Sequence, residues 1–128
     1  MGDFRKLDVW RKAHAMALSA HRVAGKMRRR ELTSLRSQLV RAAMSVPANI
    51  VEGRAQRTDR EFARFLRIAL ASATEFEYHL LMASDIAAIG HNDFGSLMGE
   101  VIDVKKMLTG LLDRVEAEKP VPAVKADS

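Results

Sequence analysis

Apolar residues recur along this chain at steps of three and four and nowhere at sustained steps of two, a pattern that predicts helices and no sheet. The first predicted helix starts at Asp8, read as its N-cap, and ends near Met27, with Val9, Trp10, Ala13, Ala17, Ala20 and Ala24 facing inward. A second spans residues 31–54 on Leu32, Leu35, Leu39, Ala43, Val46 and Ile50, and Gly53 is read as loosening its C-terminal end. Thr58 and Glu61 have the spacing of a capping box and open a third helix. Phe62, Phe65, Leu66, Ala69, Ala73, Phe76, Leu80, Ala83 and Ala87 carry that helix to about Ile89. Residues 90–93, Gly-His-Asn-Asp, are turn chemistry; Leu97, Val101, Val104, Leu108, Leu111 and Val115 then form a fourth apolar face. The expected fold is all-α, an antiparallel up-and-down four-helix bundle over residues 1–118. Residues 119–128, with two prolines and no apolar period, are expected to be a disordered tail.

The second helix carries more than one pattern. At about 100° per residue, a polar stripe of Gln38, Arg41, Ser45, Asn49 and Glu52 separates the core face from a second apolar stripe of Val40, Met44, Pro47 and Val51. A bundle helix needs a single apolar face, so the extra stripe implies a wide core or cover from another subunit. Pro47 has no amide hydrogen and crowds the carbonyl of Ala43, so a bend is expected there. Ser45 and Asn49 are close enough to help satisfy the disturbed backbone.

Charge alters the picture because it is segregated. Residues 1–67 carry 16 Lys/Arg against 6 Asp/Glu, a net +10, whereas residues 68–128 carry 5 against 10, a net −5. The cationic half suits a polyanion or the acidic half of a neighbouring copy. Arg57, Arg60, Arg64 and Arg67, at steps of three, four and three, form a candidate phosphate-tracking row, with Arg54 and Arg28–Arg30 as extensions. The plainer readings are a solvated helix face for the row and a dipole-matched loop for the triplet. Aromatic residues are only 5% of the chain and fall mostly on core faces, so base stacking has little support and any binding would be independent of sequence.

The motifs in combination resemble the four-helix-bundle proteins encoded by intervening sequences of bacterial 23S ribosomal RNA genes, and their stand-alone relatives. The matching stretches are "FRKLDVWRKA", "LRSQLVRAAMSVPANIVEG" and "REFARFLRIALASATEFEYHL", and with the last helix the resemblance covers about residues 4–115. The shared positions here are Phe4, Leu7, Gln38, Arg41, Ala42, Ala43, Ser45, Asn49, Ile50, Glu52, Gly53, Ser72 and Glu75; Val51 stands where the family commonly has Ala. The resemblance implies a four-helix bundle assembled as a ring-like homopentamer. It also implies that Gln38, Arg41, Ser45, Asn49, Glu52, Ser72 and Glu75 form an interhelical or intersubunit network. Some distant relatives are nucleic-acid-binding accessory proteins of reverse transcriptases, so RNA or DNA joins the expected partners.

Catalysis has little support. Glu75 precedes His79 by four residues, so the Glu-x-x-His pairs of a di-metal bundle are missing, and His14 and His21, two turns apart, are too distant to share one ion. No phosphate loop, nucleophile elbow or zinc-protease motif is present, and no cofactor is expected. No apolar run approaches a membrane span and the N-terminus has no secretory pattern, so the expected location is cytoplasmic. The expectation is a non-enzymatic homo-oligomeric scaffold with a candidate nucleic-acid face; the alternative is a protein-binding adaptor whose arginines serve assembly.

Overall fold

The computed structural model describes residues 2–117, and the tail expected from Lys119 onward lies outside the described residues. Four helices account for most of the chain: α1 Asp8–Ala24, α2 Thr33–Arg54, α3 Asp59–Asp85 and α4 His91–Ala117. Single 3-10 turns at Phe4–Lys6 and Arg30–Leu32 lead into α1 and α2. Each helix packs on two others, α1 on α2 and α4, and α3 on α2 and α4, with no close backbone approach across the diagonals among the described residues. Ion pairs show the antiparallel register. Arg67 of α3 meets Glu116 of α4 at 2.7 Å and Glu77 meets Lys105 at 2.8 Å, so one helix ascends as the other descends.

Side chains at alternating steps of four and three fill the core on every helix. The series is Val9, Ala13, Met16, Ala20, Val23 and Met27 from α1 and the turn after it, and Leu39, Ala43, Val46, Ile50 and Gly53 from α2. On α3 it is Phe62, Leu66, Ala69, Ala73, Phe76, Leu80 and Ala83, and on α4 Leu97, Val101, Val104 and Leu108. This is the 3-4 spacing of left-handed bundles, in which knobs of one helix seat between residues of the next. The inward face of α1 therefore differs from its expected form: Met16 and Val23 are buried in the seam, and Trp10 is only half-buried at its edge. Trp10 instead lies edge-on to Phe4 at 4.9 Å and stacks on His14 at 4.9 Å.

Helix ends depart from the expectations more than faces do. Leu7, with extended backbone, precedes α1 without a side-chain cap, and Asp8 is the first helical residue, its carboxylate paired with Arg11. A carboxylate in a first turn is favourable to the helix dipole without capping it. Thr58 does cap α3, accepting from the Glu61 amide at 3.2 Å, but the Glu61 carboxylate turns to Arg64 at 3.1 Å and leaves the box half closed. The turn after α1 is held by the Arg36 guanidinium, which donates to the Met27 carbonyl. Residues His91, Asn92 and Asp93, expected as turn, form the first turn of α4, and Gly90 alone stays outside. Helix α2 continues unbroken through Pro47.

The α3–α4 connection explains why α3 stops short of Ile89. Ile86 ends it, Ala88 N–H reaches the Ala83 carbonyl at 2.8 Å and Ala87 N–H the Ser84 carbonyl at 3.0 Å, the paired bonds of a Schellman motif. Ala87 occupies the left-handed position, φ 56°, where glycine is the usual residue. Gly53 presents the opposite situation. A Cβ there would stand 2.8 Å from Phe65 Cβ and 3.3 Å from the Phe62 carbonyl oxygen, so Gly53 allows the end of α2 and the start of α3 to approach closely and does not loosen the helix. Exchanging the two residue types should move stability in opposite directions. Ala87→Gly is expected to stabilise by about 1 kcal/mol through relief of the left-handed strain. Gly53→Ala is expected to destabilise by about 1–2 kcal/mol, because overpacking outweighs the gain in helix propensity. Urea denaturation of both variants checks the pair.

Candidate functional site

The polar stripe of α2 divides in two. Ser45 Oγ lies 2.8 Å from Ser72 Oγ of α3, and the Asn49 side-chain amide donates to the Ser45 carbonyl at 2.8 Å and to its hydroxyl at 3.0 Å. Ser72 is buried, and Ser45 and Asn49 are half-buried. Asn49 thus braces Ser45 within α2, and the Ser45 hydroxyl in turn ties α2 to α3. Gln38, Arg41 and Glu52 are exposed and make no side-chain bond to this trio; Glu75 is exposed as well, its Oε2 3.9 Å from His79 Nε2. Their positions reach outward along the seam, so only Ser45, Asn49 and Ser72 of the expected network join within one protomer.

The second apolar stripe faces α1 rather than bare solvent. Pro47 is buried, Val40 and Val51 are half-buried, and Met44 is 56% exposed. Met44, Pro47 and Val51 line one wall of a groove of about 430 Å³ whose other wall is Trp10, His14, Leu18 and His21 of α1. A second depression of about 330 Å³ starts at His21 and continues past Val40 to Arg36 and Arg41. Leu18, on the α1 wall, is 55% exposed. Among the described residues, neither the bundle core nor a neighbouring helix covers Leu18 and Met44.

The arginine row is also divided. Arg57 and Arg60 are exposed and have no carboxylate partner among the described residues. Arg64 pairs with Glu61 and lies over the Phe65 ring at 4.5 Å, and Arg67 is held by Glu116 of α4. Arg54 points back over Phe62 at 5.7 Å, with its Nε buried and lacking a hydrogen-bond partner among the described residues. Arg28 and Arg30 remain exposed on the loop, whereas Arg29 approaches Glu31 at 3.8 Å. Among the described residues no three His, Asp or Glu side chains converge on a metal position, and no helix is long and apolar enough to cross a membrane.

One surface is not foreshadowed by the inward-facing pattern of the sequence. Ile68, Tyr78, Met82 and Ile86 are 38–55% exposed on the outward side of α3, with Leu81 at 45% beside them. The steps from Ile68 to Met82 and Ile86 are whole helical turns, a second period hidden beneath the stronger inward series.

Comparison with known proteins adds to this geometry. The family model described as 23S rRNA-intervening sequence protein matches residues 5–110. The chain belongs to this family. A crystal structure of a protein of unknown function from the S23 ribosomal protein family of Bacteroides thetaiotaomicron VPI-5482 is similar to it at 23% identity, over 81% of this chain and 97% of that one, with a TM-score of 0.77. That likeness supports the fold. Comparison with curated proteins gave no match. Ser45, Gly53 and Ser72 thus converge on one feature, the close and hydrogen-bonded contact of α2 with α3.

The Ser45–Ser72 bond makes a quantitative prediction. Ser72→Ala should cost about 1 kcal/mol, and Ser45→Ala a similar amount; the double variant should cost less than the sum because both singles delete one shared bond. A double-mutant cycle in urea checks this, and strict additivity would mean that the two hydroxyls are not energetically coupled.

Proposed function

We propose that this chain is a non-catalytic helical scaffold of the cytoplasm that acts as a homo-oligomeric ring, five protomers being the number the family resemblance implies, and that holds RNA or DNA without sequence preference. The observation that carries the proposal is the uncovered groove of α1 and α2, where Leu18 and Met44 are each more than half exposed. Large apolar side chains grouped in a concave surface favour burial by a partner, and removing each from water contributes about 1.5–3 kcal/mol when burial is complete. A second copy is a partner always available to the chain. The groove thereby gives Val40, Met44, Pro47 and Val51 a role in assembly.

Nucleic-acid binding is assigned to Arg57 and Arg60, which carry no internal partner among the described residues, with Arg64 contributing its remaining donors. Arg67, already paired with Glu116, is secondary. Oligomerisation repeats this cationic set on every protomer, and sequence-independent contacts to phosphate suit the arrangement because Phe62, two residues from Arg60, is buried in the core and Phe65 lies beneath Arg64. The adaptor alternative finds its support in Arg64 and Arg67, whose internal ion pairs show arginines of the same row serving structure.

Two measurements test the proposal. Light scattering at micromolar concentration is expected to give a multiple of the 14.3 kDa protomer mass; a monomer would contradict self-association. Arg57→Glu with Arg60→Glu is expected to keep the oligomer while weakening binding to generic single-stranded RNA and DNA at least tenfold at low salt. The slope of log K against log salt should fall by about one for each arginine–phosphate pairing that the substitutions remove. Equal binding by wild type and variant would assign these arginines to the solvated surface.

A further inference from the structure

Each protomer exposes two apolar surfaces, and their surroundings carry opposite charge. The α1/α2 groove lies within residues 9–51, which hold nine Lys/Arg and one acid, Glu31. Arg22, Arg36 and Arg41 of this region make no ion pair with any described carboxylate, and Arg36 and Arg41 line the groove's extension. The ridge formed by Tyr78, Leu81, Met82 and Ile86 lies within residues 68–104, a span of 37 residues with six acids and no Lys or Arg. Glu75 and Asp85, at either end of the ridge, have no Lys or Arg partner among the described residues.

We infer that the α3 ridge of one copy seats in the α1/α2 groove of the next, so that self-association is head-to-tail; the inference rests on the self-association reading above and specifies which surfaces meet. The charges decide between the available pairings. Groove against groove would bring two cationic frames together, and ridge against ridge would oppose Glu75 and Asp85 with their own copies. Groove against ridge alone places unlike charge around apolar contact, with Arg41 and Arg36 opposed to Glu75 and Asp85. The shapes agree with this choice, a concave site for a convex row of one large aromatic and three aliphatic or thioether side chains. Because the two surfaces differ, the contact is heterologous, and repetition of one heterologous contact yields a closed ring or an open filament rather than a two-fold dimer. Arg57 and Arg60, at the opposite end of α3 from the ridge, remain uncovered in this arrangement.

The test is complementation between two folded but defective variants. Leu18→Glu with Met44→Glu disables the groove, and Tyr78→Lys with Met82→Lys disables the ridge; all four side chains are exposed, so the protomer fold tolerates them. Native mass spectrometry is expected to find each variant alone at the 14.3 kDa protomer mass and their equimolar mixture as complexes containing both variants. Circular dichroism verifies that each stays helical. A ridge variant that assembles like wild type, or a mixture that remains monomeric while both variants are helical, would overturn the head-to-tail pairing and leave self-association standing. A wild-type protein that is itself monomeric would remove both.

Discussion

The close approach of α2 to α3 is the constraint on which the other features depend. Gly53 has no Cβ because Phe62 and Phe65 occupy that space, and Ser45 meets Ser72 because the two backbones have already come near enough for short hydroxyls to touch. Alanines 42, 43, 63, 69 and 73 are buried on the same two helices. Small residues on one side of each helix leave the bulk elsewhere: Met44 and Tyr78 sit outside the core rather than in it. The groove and the ridge are therefore counterparts of a tight interior. A chain with larger residues along this seam would have a wider bundle and a different outer surface.

Charge is arranged at a coarser scale than packing. Cations concentrate in α1, α2 and the start of α3, and acids concentrate in the rest of α3 and α4, yet within the protomer the two groups meet through a few surface pairs such as Lys26 with Asp93 at 3.0 Å and Lys12 with Asp103 at 3.9 Å. Such exposed pairs contribute at most about 1 kcal/mol each. The segregation therefore has little value for the stability of one copy. Its physical consequence appears between molecules, in which orientation of approach is attractive and which is repulsive.

The helices and their count were legible because a heptad-like series repeats through all four, and α3 shows it without interruption from Phe62 to Ala83. What the series could not supply was the ends. Asp8 resembles a cap but lies one residue inside, and Ala87 terminates α3 although nothing in an alanine signals a left-handed backbone. Gly53 read as a loosened helix end, since a one-dimensional pattern cannot show two phenylalanines arriving from another helix. At the candidate site, the Ser45, Asn49 and Ser72 contacts follow from helical phase plus family resemblance. The capture of Arg67 by Glu116 does not, because 49 residues separate the partners. The α3 ridge was available as a period of its own, masked by the stronger inward period of the same helix.

The lack of close backbone approach across the diagonals bears on how the bundle forms. Three of its four helix–helix contacts join consecutive helices across short connections, and α1 with α4 alone requires the two ends of the described chain to meet. Contact order is consequently low apart from that one closure, which places the fold among topologies that form quickly from local hairpins. The densely packed α2–α3 hairpin is the natural nucleus, and α1 docking on α4 is the natural last step. Interactions made only in that last step, chiefly the apolar packing of α1 on α4 rather than the exposed pairs Lys12–Asp103 and Lys26–Asp93, then govern how long the native state persists and have little influence on how fast it is reached.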